Sequence, residues 1–239
     1  MQKIKLWQKS YGKFQKKKLV LNGILILNYF QLKLKVMNTI KYITIIALLT
    51  SLGLFSQERN WTTEKSKDGK TVVNYELVKE YNGTHFYYIA QTTANVSLEE
   101  LDAYFSNTDN HKYFIERTTT TEEFKKISDN QWLAYYFFDA PWPLPNSDLV
   151  IELSRTKIDD DKLIFTAVSV KNDYKKSDVD RMKTYKVIYE FEKISDSTTK
   201  ITYNADYIPI GSIPNFLIRS WFPEGPANIV TNLGTLKKN

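Results

Sequence analysis

The chain has 239 residues, with 33 lysine and arginine residues against 27 aspartate and glutamate residues, and it contains no cysteine. The lack of cysteine excludes disulfides and thiolate chemistry. Residues 1–57 hold ten lysines and no acidic residue, so the rest of the chain is net acidic and has no excess positive charge with which to bind nucleic acid.

Residues 1–57 have the pattern of a targeting segment rather than of a folded domain. After Met37 a short start leads into an apolar run over 42–55, followed by small and then polar residues. This run is shorter than the ~18 residues that a membrane-spanning helix needs. We therefore predict a signal peptide at 37–57 and export to the periplasm or the cell exterior, with an uncleaved membrane anchor as the alternative. The lysine-rich residues 1–36 are expected to be a spurious or unstructured extension.

Residues 58–239 are predicted to form one domain, because they show neither an internal repeat nor a second hydrophobic core. After a polar start, two alternating segments over 71–80 and 85–93 flank Asn82-Gly83. This dipeptide favours a tight hairpin turn. Two antiparallel strands are therefore expected.

A helix is predicted over 98–105. Ser97 followed three residues later by Glu100 is a capping-box pattern, and the apolar residues after it share one helical face. A second short helical turn is expected before Phe114. His111 lies in this polar turn and is expected to be solvated.

The chain from 117 to 207 is predicted to be mostly strand. The strands are expected at 117–127, 132–138, 148–158, 162–171, 184–194 and 199–207. The loop 139–147 contains three prolines, which cannot donate to a sheet ladder, and 172–182 is a longer polar loop. The alternation of polar and apolar residues indicates an antiparallel sheet with one solvated face.

The inner face of this sheet is apolar but rich in tyrosine. Strand phase predicts these inward residues: Leu149, Ile151, Leu153 and Arg155; Tyr185, Val187, Tyr189 and Phe191; Ile201, Tyr203, Ala205 and Tyr207. On 132–138 the phase is open, with either Trp132, Ala134, Tyr136 and Phe138 or their neighbours inward. Rigid aromatic side chains with polar tips are typical of cavity walls, although ordinary core aromatics whose hydroxyls reach the rim are equally consistent.

Apolar residues at helical spacing over 213–236 predict a long C-terminal amphipathic helix, with a turn before it at 209–212. A bend is expected at 223–226, where two prolines interrupt the pattern. Such a helix needs an apolar sheet face to lie on.

The element order of hairpin, short helices, curved antiparallel sheet and long C-terminal helix is that of the helix-grip fold. Two stretches, DAPWPLPNSDLV at 139–150 and YIPIGSIPNFLIRSWFPEGPANIVTNL at 207–233, resemble the START family, the steroidogenic-acute-regulatory-related lipid-transfer domains. The segment SLEELDAYF at 97–105, with His111, extends the resemblance to roughly 71–236. The chain has little room for the long N-terminal helix of larger members, so it resembles a minimal bacterial type.

The resemblance implies an α+β fold in which a curved sheet wraps on the C-terminal helix, with two short helices between early strands. It also implies a deep apolar tunnel that holds a lipid or another hydrophobic small molecule, for a carrier or a sensor. The candidate hinges for ligand release are 211–212 and 223–226. Transient contact with a membrane surface and a monomeric state are expected, without nucleic-acid binding.

The inward phase of Arg155 raises a specific question. Animal members can bury an acid-base pair in the cavity, but 132–138 contains no acid. An unpaired buried guanidinium costs several kcal/mol. Arg155 is therefore expected either to reach water at the strand end or to pair with a ligand carboxylate or phosphate.

The candidate ligand-binding residues are Trp132, Tyr136, Leu153, Arg155, Tyr185, Tyr189, Tyr203, Tyr207, Phe216, Leu217 and Ser220. We predict no enzymatic activity, catalytic residue, metal or cofactor, because the two histidines, His85 and His111, lie on separate elements and no nucleophile or dinucleotide motif occurs. Two alternatives stay open: a polyketide cyclase or aromatase of the same fold, and a secreted interaction module with a closed core.

Overall fold

The computed structural model describes residues 59–238, apart from Asn82, Pro143 and Ser177. The predictions for 1–36 and 37–57 therefore lie outside the described residues, as does the first residue of the predicted Asn-Gly turn. The remaining elements can be compared with their predictions directly.

Ten strands in the described part of the chain form a single sheet. They are β1 (Thr62–Lys65), β2 (Val72–Glu80), β3 (Gly83–Ala94), β4 (Thr118–Ser128), β5 (Gln131–Phe138), β6 (Ser147–Lys157), β7 (Lys162–Ser169), β8 (Asp180–Arg181), β9 (Tyr185–Ser195) and β10 (Thr198–Tyr207). The order is β1-β2-β3-β10-β9-β7-β6-β5-β4. These neighbours are all antiparallel, whereas β8 pairs in parallel with the start of β6.

The helices lie at two places in the chain. They are α1 (Leu98–Ser106), α2 (His111–Phe114), α3 (Asn215–Trp221) and α4 (Glu224–Gly234), with a 3-10 turn at Thr108–Asn110 before α2. The predicted capping box of α1 is confirmed, because the Glu100 amide donates to Ser97 Oγ and the Ser97 amide donates to the Glu100 carboxylate. The predicted bend in the C-terminal helix is also confirmed, and it separates α3 from α4 at the cis Phe222-Pro223 bond.

Strand β1 was not predicted. All four of its residues are exposed, so its sequence has no alternation of buried and exposed positions. It is an edge strand that pairs with β2 through the backbone, from Thr62 opposite Tyr75 to Lys65 opposite Val72. A strand with water on both faces carries no period-2 hydrophobic signal.

The predicted strand phase is confirmed for the inner face, but part of the outer face is covered. In β9 the buried residues Tyr185 and Phe191 alternate with more exposed neighbours. In β6, by contrast, Asp148 and Val150 on the outer face are also fully buried. The segment 172–182 covers part of this face, because the Tyr174 ring lies 6.0 Å from the ring of Tyr135, the residue paired with Val150, and Arg181 donates to Asp148. The predicted solvated face is therefore wrong at this end of the sheet.

One end of the concave face is filled by α1 and α2. The Phe105 ring of α1 lies 4.3 Å from the ring of Phe165 and 4.7 Å from that of Tyr189, measured between centroids. Phe114 of α2 is fully buried beside them. Close-packed aromatic rings leave no space for a ligand here. The other end of the concave face lies under α3 and α4.

Candidate ligand cavity

A cavity of about 530 Å³ lies between the sheet and α3. Its lining comprises Phe86, Tyr88, Ile115, Glu116, Arg117, Phe138, Ala140, Pro141, Leu144, Pro145, Ser147, Met182, Tyr185, Tyr203, Tyr207, Pro209, Ile210, Ile213, Leu217, Ile218, Ser220, Trp221 and Ile229. Most of these side chains are apolar. The cavity reaches the protein surface, because Pro141 and Ser220 in its lining are exposed.

The floor of this cavity is formed by four tyrosines that face inward from adjacent strands: Tyr88, Tyr185, Tyr203 and Tyr207. The Tyr88 hydroxyl donates to the Tyr203 hydroxyl over 3.3 Å. Burial raises the pKa of Tyr88 and of Tyr203 and raises the pKa of Tyr207 to about 12. The phenols are therefore neutral at physiological pH, and the floor offers uncharged hydrogen-bonding groups.

The rim of the cavity is made by the proline-rich loop 139–146 and the segment before α3. At Gly211, φ is +84°, and a Cβ built there would lie 3.1 Å from the ring carbons of Pro145. Glycine is the residue that adopts this backbone conformation without strain, and the absence of a Cβ lets the two segments touch. Two large apolar side chains at this rim are exposed: Trp142 in the loop, at 93%, and Phe216 in the first turn of α3, at 67%.

Glu116, just before β4, joins both parts of the C-terminal helix to the sheet. Its carboxylate accepts a hydrogen bond from Trp221 Nε1 over 2.9 Å and another from Asn228 Nδ2 over 3.0 Å. Trp221 ends α3 and Asn228 belongs to α4, so one carboxylate bridges the break. At Gly225 a Cβ would lie 2.0 Å from the Trp221 indole, so any side chain there would displace the ring.

The segment 172–182 is anchored to β6 by a buried acid-base pair. Arg181 donates to both oxygens of Asp148 over 2.8 and 2.7 Å, and also to the carbonyls of Asn172 and Tyr174. Asp148 is 1% exposed. The pair lies outside the cavity lining, but Met182, which follows it, forms part of the wall.

Five of the eleven predicted ligand-binding residues line the cavity and six do not. Tyr185, Tyr203, Tyr207, Leu217 and Ser220 are in the lining. Trp132, Tyr136, Leu153, Arg155, Tyr189 and Phe216 are outside it. The inward phase was correct for most of this second group, but the concave face is filled at their end of the sheet.

Of the six predicted residues outside the cavity lining, Phe216 and Arg155 do not lie in the core. The Phe216 ring is on the solvent side of α3, one residue before Leu217 in the cavity wall. Arg155 pairs with Asp102 of α1, with 2.8 Å from Nε to Oδ1 and 2.5 Å from the second nitrogen to Oδ2. Arg155 reaches water near the end of β6, as one of the two alternatives expected, with its side chain 26% exposed. The sequence did not predict the Asp102 carboxylate, which a helix distant in sequence supplies.

The prediction that His111 is solvated is also wrong. His111 is fully buried, with Nε2 2.7 Å from the Phe105 carbonyl and Nδ1 beside the Tyr136 hydroxyl. A carbonyl only accepts, so Nε2 carries the proton and Nδ1 accepts from the phenol. Burial lowers the pKa of His111 to about 4, which keeps the ring neutral.

The prediction missed several wall residues, chiefly Phe86 and Tyr88 on β3 and Ile218 and Trp221 on the C-terminal helix. The segment over 85–93 alternates, and assigning its phase would have placed Phe86 and Tyr88 inward. Within residues 59–238 no group of three or more histidine and acidic side chains is arranged to hold a metal ion. No helix in this part of the chain is long and apolar enough to cross a membrane.

A curved antiparallel sheet that closes on a C-terminal helix over an apolar cavity is the helix-grip arrangement, as the sequence predicts. The chain is similar to the STAR-related lipid transfer protein of Xanthomonas axonopodis, with a TM-score of 0.62 and 20% identity over 74% of this chain and 99% of that one. It is also similar to human STARD10, with a TM-score of 0.63 and 19% identity over 78% of this chain and 76% of that one. No protein-family model matches.

In sequence, the phosphatidylcholine transfer protein of Mus musculus is 25% identical over 179 residues, which is 73% of this chain and 82% of its own length. An uncharacterized protein of Pseudomonas aeruginosa is 23% identical over 180 residues, 73% of this chain and 85% of its own length. These comparisons confirm the resemblance to START-related lipid-transfer domains and the START fold. Two of the relatives described above, the Xanthomonas axonopodis and Mus musculus proteins, are named for lipid transfer.

Proposed function

We propose that this protein binds a lipid or another hydrophobic small molecule in the cavity under α3 and carries it. The observation that supports this most directly is the cavity itself, about 530 Å³ with a mostly apolar lining. Its volume is within the range of ~300 to 1,000 Å³ typical of small-molecule sites. Similarity to proteins named for lipid transfer supports the same function.

The lining also favours a class of ligand. The tyrosine floor is uncharged, and the charged residues of the lining, Glu116 and Arg117, lie before β4 and are not part of that floor. A ligand group that reaches the floor is therefore a neutral hydrogen-bonding group, such as a hydroxyl or an ester, because a charged group would lose its hydration without gaining a counterion. Sterols, fatty alcohols and acylglycerols have this chemistry.

The expected affinity suits a carrier. Burial of about twelve methylenes at ~0.8 kcal/mol each provides on the order of 10 kcal/mol. The cost of association, roughly 4 to 15 kcal/mol, offsets much of this. A ligand held with modest net affinity can be released when the cavity opens.

Release requires the rim to move, and the rim carries the apolar side chains that favour contact with a bilayer. Trp142 and Phe216 are exposed on the two segments that border the cavity. Tryptophan at such a position is suited to the membrane interface. The proposal therefore includes transient docking of this rim on a membrane surface, where the ligand enters or leaves.

The proposal extends to the cellular setting. The signal-peptide pattern at 37–57 supports export to the periplasm or the cell exterior. The proposal takes the chain to act as a monomer.

The first test is to purify the full chain, extract it with organic solvent and identify the extracted lipid by mass spectrometry. We expect one lipid molecule per chain. A fluorescent fatty-alcohol probe then measures the affinity of the emptied protein. Ser220→Trp places an indole in the cavity lining and should weaken the binding of this probe about tenfold or more, whereas Arg219→Trp, one residue earlier and outside the lining, should not.

A chain that yields no lipid and takes up neither the alcohol probe nor a sterol would overturn the proposal and favour an interaction module with a closed core. Equal affinities in the two tryptophan variants would place the ligand elsewhere on the molecule.

A further inference from the structure

A second cavity, of about 390 Å³, lies beside the first and differs from it in chemistry. Its lining includes Lys112, Glu116, Arg117, Asn228, Asn232 and Lys237. These residues come from α2, from the segment before β4, from α4 and from the residues after α4. Charged and amide groups dominate this second cavity, which we call the polar cavity.

Three cations surround the polar cavity, and none of them makes an ion pair with any residue in 59–238. The Lys112 ammonium lies 5.2 Å from the Tyr113 ring, and Arg117 and Lys237 have no acidic partner among the described residues. The lining contains one carboxylate, Glu116, and both of its oxygens already accept hydrogen bonds from Trp221 and Asn228. The cationic groups therefore remain available to an anion.

The backbone holds these cations in place. The Lys237 amide donates to the Asn232 carbonyl over 3.1 Å, and the Lys237 carbonyl accepts from the hydroxyl of buried Tyr104. At Arg117 the carbonyl accepts from the Asp139 amide over 2.8 Å. The backbone at Lys237 is therefore fixed to α1 beside the polar cavity.

The charge of this cavity contrasts with that of the domain. All 27 acidic residues of the chain lie beyond residue 57, where they outnumber the basic ones. On such a surface, a group of three cations that make no ion pair within the described part of the chain attracts anions. Guanidinium and ammonium groups together with amide N–H groups are the donors that proteins use for phosphate oxygens.

We propose that the polar cavity binds a phosphate group. The group belongs either to the headgroup of a membrane lipid or to a soluble phosphate ester. The polar cavity shares residues 115–117 with the wall of the ligand cavity, so a phosphate bound here lies next to the cargo without entering the apolar space. The proposal requires no cargo and goes beyond the carrier function.

The test uses the full chain and a double variant, Lys112→Gln with Lys237→Gln, because these two residues line only the polar cavity. The control, Lys79→Gln with Lys186→Gln, removes the same charge from exposed strand residues that line neither cavity. The lysine-rich residues 1–57 are common to all three proteins and cancel in the comparison. Binding is measured to glycerol phosphate in solution and to phosphatidylcholine vesicles with and without phosphatidylglycerol.

We expect the double variant to bind its phosphate ligand about tenfold or more weakly than the control, with the difference shrinking at high salt. If the double variant loses binding to glycerol phosphate and the control does not, a soluble phosphate ester is sufficient to occupy the polar cavity. A loss seen only with phosphatidylglycerol vesicles would identify the headgroup. Equal binding by the double variant and the control to both ligands would overturn the proposal. The fatty-alcohol probe, which reports the ligand cavity, should bind all three proteins equally, so failure here is distinct from failure of the carrier function.

Discussion

His111 and Arg155 are polar residues whose partners lie on other elements, and the sequence patterns did not predict these partners. His111 is buried against the Tyr136 hydroxyl and the Phe105 carbonyl. Arg155 is held by Asp102. In each case a partner on another element satisfies the polar group, which makes burial tolerable. These two residues therefore stabilise the packed end of the domain and are not part of the candidate ligand site.

Arg155→Met is expected to destabilise the fold without changing ligand preference. The substitution leaves the partly buried Asp102 carboxylate without its bidentate partner, which should lower the free energy of unfolding by about 1 to 2 kcal/mol. Urea unfolding measures this change, and competition between a fatty acid and a fatty alcohol measures preference. Lys157→Met, on the same strand as Arg155, breaks an exposed pair with Asp160 of the following turn and should be milder. A changed preference in Arg155→Met would contradict the assignment of Arg155 to the packed end.

Stability should decrease as the pH falls below the range of an ordinary histidine. The pKa of His111 is lowered by burial to about 4, from 6.5 in the unfolded chain. Between these values the unfolded state binds a proton that the folded state does not, so stability is complete above pH 6.5 and is lost as the pH falls towards 4. The loss is on the order of 3 kcal/mol for this group.

Urea unfolding at several pH values measures this dependence. The slope of the free energy of unfolding against pH reports how many more protons the unfolded state binds than the folded state. Between pH 6.5 and pH 4 this number should be smaller by up to one in His111→Gln, even though the variant is less stable at every pH. A slope unchanged from the parent protein would show that His111 is not the group responsible.

The separate positions of α3 and α4 decide what the C-terminal segment covers. Helix α4 packs directly on the sheet, and a Cβ at Gly234 would lie 2.6 Å from the Cβ of Ala94. Helix α3, beyond the break, lies over the ligand cavity and contributes Leu217 and Ser220 to its wall. Helix α4 therefore packs against one part of the concave face, whereas α3 covers the ligand cavity over another part.

A pair of glycine substitutions tests the contact that closes the rim. Gly69 and Gly211 both have left-handed backbone, with φ of +71° and +84°, but a Cβ at Gly69 would meet nothing within 4 Å. Gly69→Ala should therefore cost only the backbone strain, about 1 kcal/mol. Gly211→Ala should cost more in chemical unfolding, because the new Cβ also presses on Pro145.

If Pro145 and the segment before α3 form the rim of the cavity, Gly211→Ala should also release a bound fluorescent probe faster than Gly69→Ala in stopped-flow exchange. Equal stability losses and equal release rates in the two variants would argue against a closed contact at this position.

Across the whole molecule, the concave face is divided into a filled half and a hollow half. The aromatic residues of α1 and α2 occupy one half, and the ligand cavity, with exposed Trp142 and Phe216 at its rim, occupies the other. Apolar side chains exposed on the two segments that form a rim favour a lipid surface as the place of exchange. The proposed cargo site and the proposed membrane contact therefore lie at the same half of the concave face.

Trp142→Ala is expected to weaken binding to neutral phosphatidylcholine vesicles roughly tenfold, because the indole no longer enters the interface. Transfer of a fluorescent lipid between vesicles should slow accordingly, while probe affinity in solution should not change, since Trp142 is outside the cavity lining. Trp61→Ala removes another exposed tryptophan, beside the edge strand β1, and serves as the control. Equal vesicle binding by these two variants would contradict docking through the rim.

The amino-acid sequence by itself determined the order of the longer strands and helices, the capping box of α1, the inward phase of β9 and β10 and the bend before α4, because each of these depends on local patterns of turn residues and burial. Tertiary structure alone decided which inward tyrosines reach a cavity. Tyr189 and Tyr203 have the same phase on adjacent strands, yet Phe105 from α1 covers the first and leaves the second at the floor. Strand periodicity reports which face a side chain is on, whereas the space above that face depends on elements packed from elsewhere in the chain.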